Sequence, residues 1–505
     1  MREIFPIQRT IEQIDIADIK IDVRSRDDIP LILLGLQHIY CTEDLREKVF
    51  EIIKEMLPTQ DVDGQITPVS AEKGCPGMNQ WIILVLGCVR LCLNADFDRL
   101  HELANQHRTL RLMLGIADWD EKLFSLQTLK DNLQLFTPAI LASINQAVVE
   151  AGYTLLGKKN TPTPVGGRCD SFVVETDVHF PTDINLLYDA MRVLLHLCAQ
   201  FSEMFGLKGW RQVKSCLKKL KKAIRIIQKL KHSTSKDETK KKAKTEQIAQ
   251  AHQTFIDLSA AYLKRVEASI EQLVTVHHVS ELQLAKLREF IVHAKRQIDQ
   301  IDRRVLKGET IPHEEKVFSL FEPHTEWISK GKAGVPVELG VRVAIVESQE
   351  GFILHHKVME RQTDDKIAVD IVKETQAYFP AFKACSFDKG FHSPANQTDL
   401  QTILEQVTLP KKGKLSSKEQ ERETDDAFVA ARKAHSAVES GINALEVHGL
   451  DTCLDHGIDG FKRYVALAVL SRNIQKIGQI KRDQERERLA RERERLRQCR
   501  QKLAA

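Results

Sequence analysis

The chain has no Cys-x-x-Cys pair. Its ten cysteines are scattered, and the closest two, Cys88 and Cys92, stand four apart in an apolar run. That spacing argues against a zinc site or a disulfide framework and for buried free thiols in a reducing compartment. A long hydrophobic run is also missing. The longest apolar stretch, Trp81 to Leu93, is interrupted by Arg90 and falls well short of the ~20 residues that a membrane span needs. The N-terminal MREIFPIQRT lacks the charged-then-apolar order of a secretory signal. These absences predict a soluble, intracellular protein with no membrane partner. Acidic residues are missing from Lys208 to Lys231, where ten Lys and Arg occur. That local excess says more about partners than the net charge of +4 does. Proline and glycine nearly vanish between Asn185 and Val305, as expected of long helices.

What is present divides the chain. With 505 residues, 42% of them hydrophobic, three or so domains are expected. Residues 1–40 read as an irregular or strand-like lead-in. From Thr42, apolar residues recur on one helical face (Leu45, Val49, Ile52, Ile53, Met56), and further helices are expected over 78–93, 97–114, 121–133 and 137–151. The stretch His101 to Gly115 carries His107, Arg108 and Arg111, which suits either a DNA-reading helix or a solvated basic face. After a loop, Cys169 to Thr176 is a short β-branched run that reads as a strand.

Apolar residues then repeat at spacings of three and four: Val213, Leu217, Leu220, Ile224, Ile227, and later Leu284, Leu287, Ile291, Ala294, Ile298, Ile301, Val305. Such heptads predict helical hairpins with at least one coiled-coil seam. Strands return at 337–346 and 352–359, joined by the hairpin chemistry of Ser348-Gln349-Glu350-Gly351. A helix over 364–378, a strand over 382–387 ending at Asp388, a helix near 394–406 and a brief strand at 407–409 follow. One long helix is expected from about Glu419 to His448 and another over 457–478. The segment 481–505 reads as a charged, solvated helix.

With residues 184–315 set aside, the order is strand with an acid, hairpin, helix, strand ending in an acid, helix, strand, helix with an acid. That is the layout of an RNase H-like α/β domain. It delivers two aspartates to one sheet edge and a third carboxylate from a helix, a natural set of hard-oxygen ligands for Mg²⁺.

Three stretches carry a resemblance to bacterial insertion-sequence DDE transposases of the ISNCY type. They are Asp170-Ser171-Phe172-Val173-Val174-Glu175-Thr176 running on to Pro181-Thr182-Asp183, Phe387-Asp388-Lys389-Gly390-Phe391-His392-Ser393, and His435-Ser436-Ala437-Val438-Glu439 continuing to Asp451. Gly74 to Gly115 and Glu322 to Lys332 support it, so that the resemblance spans roughly residues 40–480. It implies an α/β RNase H-like catalytic domain (152–183 and 316–480) with a long helical, coiled-coil insertion (184–315). An all-α N-terminal DNA-binding domain (1–151) and a charged C-terminal helix (481–505) complete the expected organisation.

The implied catalytic and metal residues are Asp170, Asp388 and Glu439, holding two Mg²⁺ ions, with Mn²⁺ as a substitute. The implied activity is cleavage at terminal inverted repeats and joining of 3′-OH ends to target DNA. A nuclease of the same fold without strand transfer, or a catalytically silent coiled-coil nucleic-acid-binding protein, are the alternatives. The expected partner is double-stranded DNA, both element ends and target, bound by a homodimer in the bacterial nucleoid. Candidate DNA contacts are Lys218, Lys221, Lys222, Arg225, Trp327, Lys330, Lys332, Lys389, His392 and His435. Relatives of the broader superfamily place arginine and lysine where this chain has His435 and Glu446. His435 therefore reads as a phosphate contact when protonated, a supporting donor, or a structural histidine. Asp183 reads as a possible cap of the helix that follows it.

Overall fold

The computed structural model describes residues 14–56, 59–62, 65–68, 77–157, 165–232, 238–329 and 336–504. They form two compact units, one of residues 1–177 and 328–505 and one of residues 178–327. The helical insertion expected over 184–315 falls within the unit 178–327, which begins six residues earlier and ends twelve later. Among the described residues no helix is long and apolar enough to cross a membrane.

The first unit begins with α1 (Asp28–Cys41) and α2 (Glu43–Ile53), then the hairpin β1 (Thr59–Val62) and β2 (Gln65–Pro68). Helices α3 (Gln80–Cys92), α4 (Phe97–Gln106), α5 (Arg108–Met113), α6 (Leu126–Leu133) and α7 (Pro138–Leu155) follow. Helix α1 corrects the reading of an irregular or strand-like lead-in from residue 28 on; residues 1–13 of that stretch lie outside the described residues. Asp27 caps the helix by accepting from the Ile29 amide, and its Leu/Ile face is buried. The run Trp81 to Leu93 is core: every residue of α3 is buried, as expected of a helix apolar all round. Arg90 is tolerated there because it pairs with Asp455 at 2.8 Å and lies over the Phe97 ring.

The expected helix over 97–114 breaks at His107, whose ring caps α5 by accepting from the Leu110 amide. Arg111 donates to the carbonyls of Asn105, Asp120 and Lys122, and Arg108 pairs with Asp118. Both arginines are engaged locally, so the segment supplies structure rather than a free basic reading face.

The seven-stranded sheet contains β3 (Val165–Thr176), β4 (Glu326–Ser329), β5 (Val337–Ser348), β6 (Ile353–Met359), β7 (Phe382–Phe387), β8 (Gln406–Thr408) and β9 (Thr452–Cys453). Strand β5 lies antiparallel to β3 on one side and to β6 on the other. Strands β7 and β8 continue from β3 in parallel. The order is β4–β5–β3–β7–β8, with β6 also paired to β5 and β9 beside the far end of β3. Gly167 is demanded by this packing: a Cβ there would meet the Phe382 ring at 2.7 Å. Sheet and N-terminal helices share one apolar core, from Ile32 and Trp81 through Val174 and Ile345 to Phe461. The expected separate N-terminal domain is thus part of the same compact unit as the sheet.

In the second unit α8 (Asp183–Phe205), α9 (Val213–His232), α10 (Glu238–Thr275) and α11 (Glu281–Ile301) enclose their own core. Leu220 and Ile227 of α9 and Leu284, Leu287 and Ala294 of α11 are buried together in it. The heptads are thus used within the unit. The cap of α8 is Thr182, which accepts from the Asn185 amide. Asp183 instead pairs with Arg304 at 2.7 Å.

The remaining helices are α12 (Asp364–Tyr378), α13 (Pro394–Ile403), α14 (Ser417–Thr424), α15 (Asp426–His435), α16 (Ala437–Leu445) and α17 (Gly457–Ala504). The single helix expected over 419–448 is broken at Asp425, which caps α15, and at Ser436. The two C-terminal helices expected are one. Gly478 does not end it but lets α17 cross α1, where a Cβ would stand 1.8 Å from the Leu31 carbonyl oxygen.

Candidate active site

Strand alternation puts Arg168 and Asp170 on one face of β3. The parallel register pairs Arg168 with Ser386 and Cys169 with Phe387. One step further, Asp170 falls beside Asp388, with neighbouring backbones about 4.8 Å apart. Among the described residues, the β7 side of β3 beyond Cys169 has no strand partner until Glu175 meets Thr452 of β9. Asp170 thus stands at the mouth of a gap in the sheet, where the chain after Asp388 turns away. Asp388 shapes that turn by accepting from the Gly390 amide at 3.2 Å.

Helices α15 and α16 cover this face. The His435 ring hydrogen-bonds the Ser386 hydroxyl at 2.9 Å. Gly441 lies so close to Glu347 that a Cβ would meet its carboxylate oxygen at 2.5 Å. Glu347 is directly opposite Arg168 in register and pairs with it at 3.4 Å. Burial pushes the Glu347 carboxyl up, and Arg168, Lys476 and Arg472 pull it back. This largely buried polar group underlies α16 and fixes the helix that carries Glu439.

The acid Asp170 is pushed up to about 6, first by burial and then by the charges of Asp388, Asp364 and Glu439. The three expected carboxylates therefore share one electrostatic neighbourhood. Asp364, at the start of α12, is a fourth member that sequence reasoning missed. It accepts from the Ser171 hydroxyl at 2.6 Å, and its other oxygen lies 2.8 Å from where a Gly390 Cβ would stand. Its only signal was its place in the first turn of a helix, where an acid is ordinary.

As donors, these hard-oxygen carboxylates fit a divalent cation. Their placement does not close around one: among the described residues no group of three or more His, Cys, Asp or Glu is gathered tightly enough to hold a metal ion. Convergence on a shared ion pair was expected and is not seen. Asp388 and Glu439 are exposed, so both can change rotamer. Burial and the nearby Arg168 hold the His435 imidazole below its usual range, against the pull of Asp388 and Glu439. A neutral ring follows at pH 7, which disfavours the imidazolium–phosphate reading. Its Nε2 is buried without a hydrogen-bond partner among the described residues.

Comparison with protein-family models, curated proteins and solved structures gives no match.

The other expected contacts divide. Lys389 is exposed beside Asp388. His392 is partly buried, and Asn396 ties the loop to the carbonyls of Asp365 and Phe391, a structural role. Trp327 packs against Phe180 and Phe318. Lys330 and Lys332 lie outside the described residues. The basic cluster of Lys218, Lys221, Lys222 and Arg225 lies on α9, in the other unit. Six of the nine described cysteines are fully buried, in keeping with structural thiols.

Proposed function

We propose that the chain is a metal-dependent DNA transposase of the DDE type, with an RNase H-like catalytic domain. It cleaves at the ends of its own element and joins the freed 3′-OH to target DNA. The observation that carries the reading is the register that sets Asp170 beside Asp388 at the mouth of a gap in the sheet, with Glu439 delivered to the same face by α16. The strand order β4–β5–β3–β7–β8, with only β5 antiparallel to β3 within the β5–β3–β7–β8 stretch, also supports it.

Asp170, Asp388 and Glu439 would hold two Mg²⁺ ions, with Asp364 beside them. Bound there, the ions would supply activation of water or a 3′-OH and stabilisation of the leaving oxygen. The chain's own residues do the rest. Ser171 and Asp364 brace strand β3 beside Asp170, Glu347 seats α16, and His435 holds the Ser386 hydroxyl next to Arg168. Lys389 attracts the DNA backbone, and Trp327 with Phe180 and Phe318 offers rings on which a base can stack. Pairing of two DNA ends calls for an oligomer, most simply a dimer. The open spacing of the carboxylates favours one second reading, a catalytically silent nucleic-acid-binding protein.

The test is Mn²⁺ binding by the full chain, followed by paramagnetic resonance. The proposal expects binding that Asp170→Asn and Asp388→Asn each weaken at least tenfold. Absence of binding in the wild-type chain at millimolar Mn²⁺ favours the silent protein.

A further inference from the structure

Helix α9 runs from Val213 to His232, and its apolar residues Val213, Leu220, Ile224 and Ile227 are buried in the core of the inserted unit. At 100° per residue, Lys214, Lys218, Lys221, Lys222, Arg225 and Lys229 fall within one arc of about 100° on the opposite side. All six are exposed. None forms an ion pair or hydrogen bond among the described residues. The reading that acidic surfaces of the protein neutralise the stripe therefore finds no support in the described residues.

Six like charges on one face repel one another, and i,i+4 pairs such as Lys214/Lys218 and Lys218/Lys222 destabilise a helix. The helix persists because its other face is packed. Such a stripe is electrostatically incomplete without a polyanion. Its dimensions fit one in particular. From residue 214 to residue 229 the helix rises about 22 Å, so the cations recur every ~4 Å along the axis. One strand of a duplex presents a phosphate every ~3.4 Å of axis. An anionic membrane suits the face less well, because the apolar side that would insert is already buried in the bundle.

We propose that the α9 face is a duplex-nucleic-acid backbone site that binds without reading sequence and belongs to the inserted unit rather than to the unit that carries the carboxylates. Lys240 and Lys242 are likewise exposed, in the first turns of the following helix.

The test is binding of the full-length chain to a random-sequence duplex across a salt series, with EDTA present. Lys218→Gln, Lys221→Gln, Lys222→Gln and Arg225→Gln are combined in one chain. Each phosphate contact contributes a slope of about −0.9 in log K against log salt. The quadruple variant is expected to flatten the slope by roughly 3 to 4 and to bind at least ~10-fold more weakly at 0.15 M salt. A companion with arginine at the three lysine positions keeps both slope and affinity. Thermal unfolding should be unchanged or slightly improved, since the side chains have no partners. An unchanged slope overturns the proposal, as does a lowered melting temperature with binding intact. Loss of binding to phosphatidylserine vesicles, with DNA binding kept, assigns the stripe to membranes and overturns it as well. With metal excluded, failure here is distinct from failure of the strand-transfer reading: cleavage with an unchanged slope would sink only this site, and a flattened slope without cleavage only the other.

Discussion

Asp170 is held at a cost that one substitution can reveal. Its carboxyl sits at about 6 rather than 3.8, so the folded chain binds the proton more tightly than the unfolded chain does. The sign follows from linkage. The ionisation penalty is fully present above about pH 6 and disappears as the pH falls below about 4. Two pK units correspond to roughly 3 kcal/mol. Asp170→Asn removes the charge and keeps an oxygen to accept the Ser171 amide, which donates at 2.7 Å in the native site. The variant should therefore be more stable than wild type by up to roughly 3 kcal/mol at pH 7.5 in EDTA. Over a unit of some 350 residues, at ~2 cal/mol/K per residue, that is about 4 °C in melting temperature. At pH 4 the advantage should vanish. Mg²⁺ should raise the wild-type melting temperature at pH 7.5 and leave the variant's unchanged, because bound cation offsets the same penalty. Paired melting curves at the two pH values, with and without Mg²⁺, decide it. Equal stability at pH 7.5, or a gain that persists at pH 4, would refute the electrostatic account of the site.

Gly478→Ala should lower the melting temperature by several degrees, because its Cβ has no room beside the Leu31 carbonyl and α1 must move off α17; an unchanged value in a thermal scan contradicts that packing. His435→Ala should lower the melting temperature, because the buried Ser386 hydroxyl loses its partner at a cost of roughly 1–3 kcal/mol; an unchanged thermal scan would show that this contact carries no weight.

Much of this architecture is legible in the residues. The strands flanking Asp170 and Asp388 and the helix over 364–378 follow from β-branched runs and turn chemistry, which act locally. Where the pattern misleads, tertiary contacts decide. Gly478 looks like a helix end, but it is a crossing point. Asp425 looks like one more surface charge in a long helix, yet it caps a new one. Residues 28–41 look strand-like because Ile and Leu dominate them, and their helical form depends on burial against α17. At the site, Asp170, Asp388 and Glu439 are visible through their motifs. Asp364 is not, since only the fold brings the start of α12 to Ser171. Nor does the sequence disclose that His435 and Glu439 lie on separate helices, or that Glu347 seats the second of them.

The most direct test uses duplex DNA taken from the sequences that flank the coding region, incubated with the full chain and Mg²⁺ and resolved on denaturing gels. The account predicts strand cleavage leaving 3′-OH ends, and joined products when target DNA is added. Asp170→Asn, Asp388→Asn and Glu439→Gln should each reduce both by at least ~10³-fold while DNA binding persists. Cleavage near the wild-type rate in any one of the three variants would contradict the assignment of that carboxylate, and in all three the enzyme reading itself.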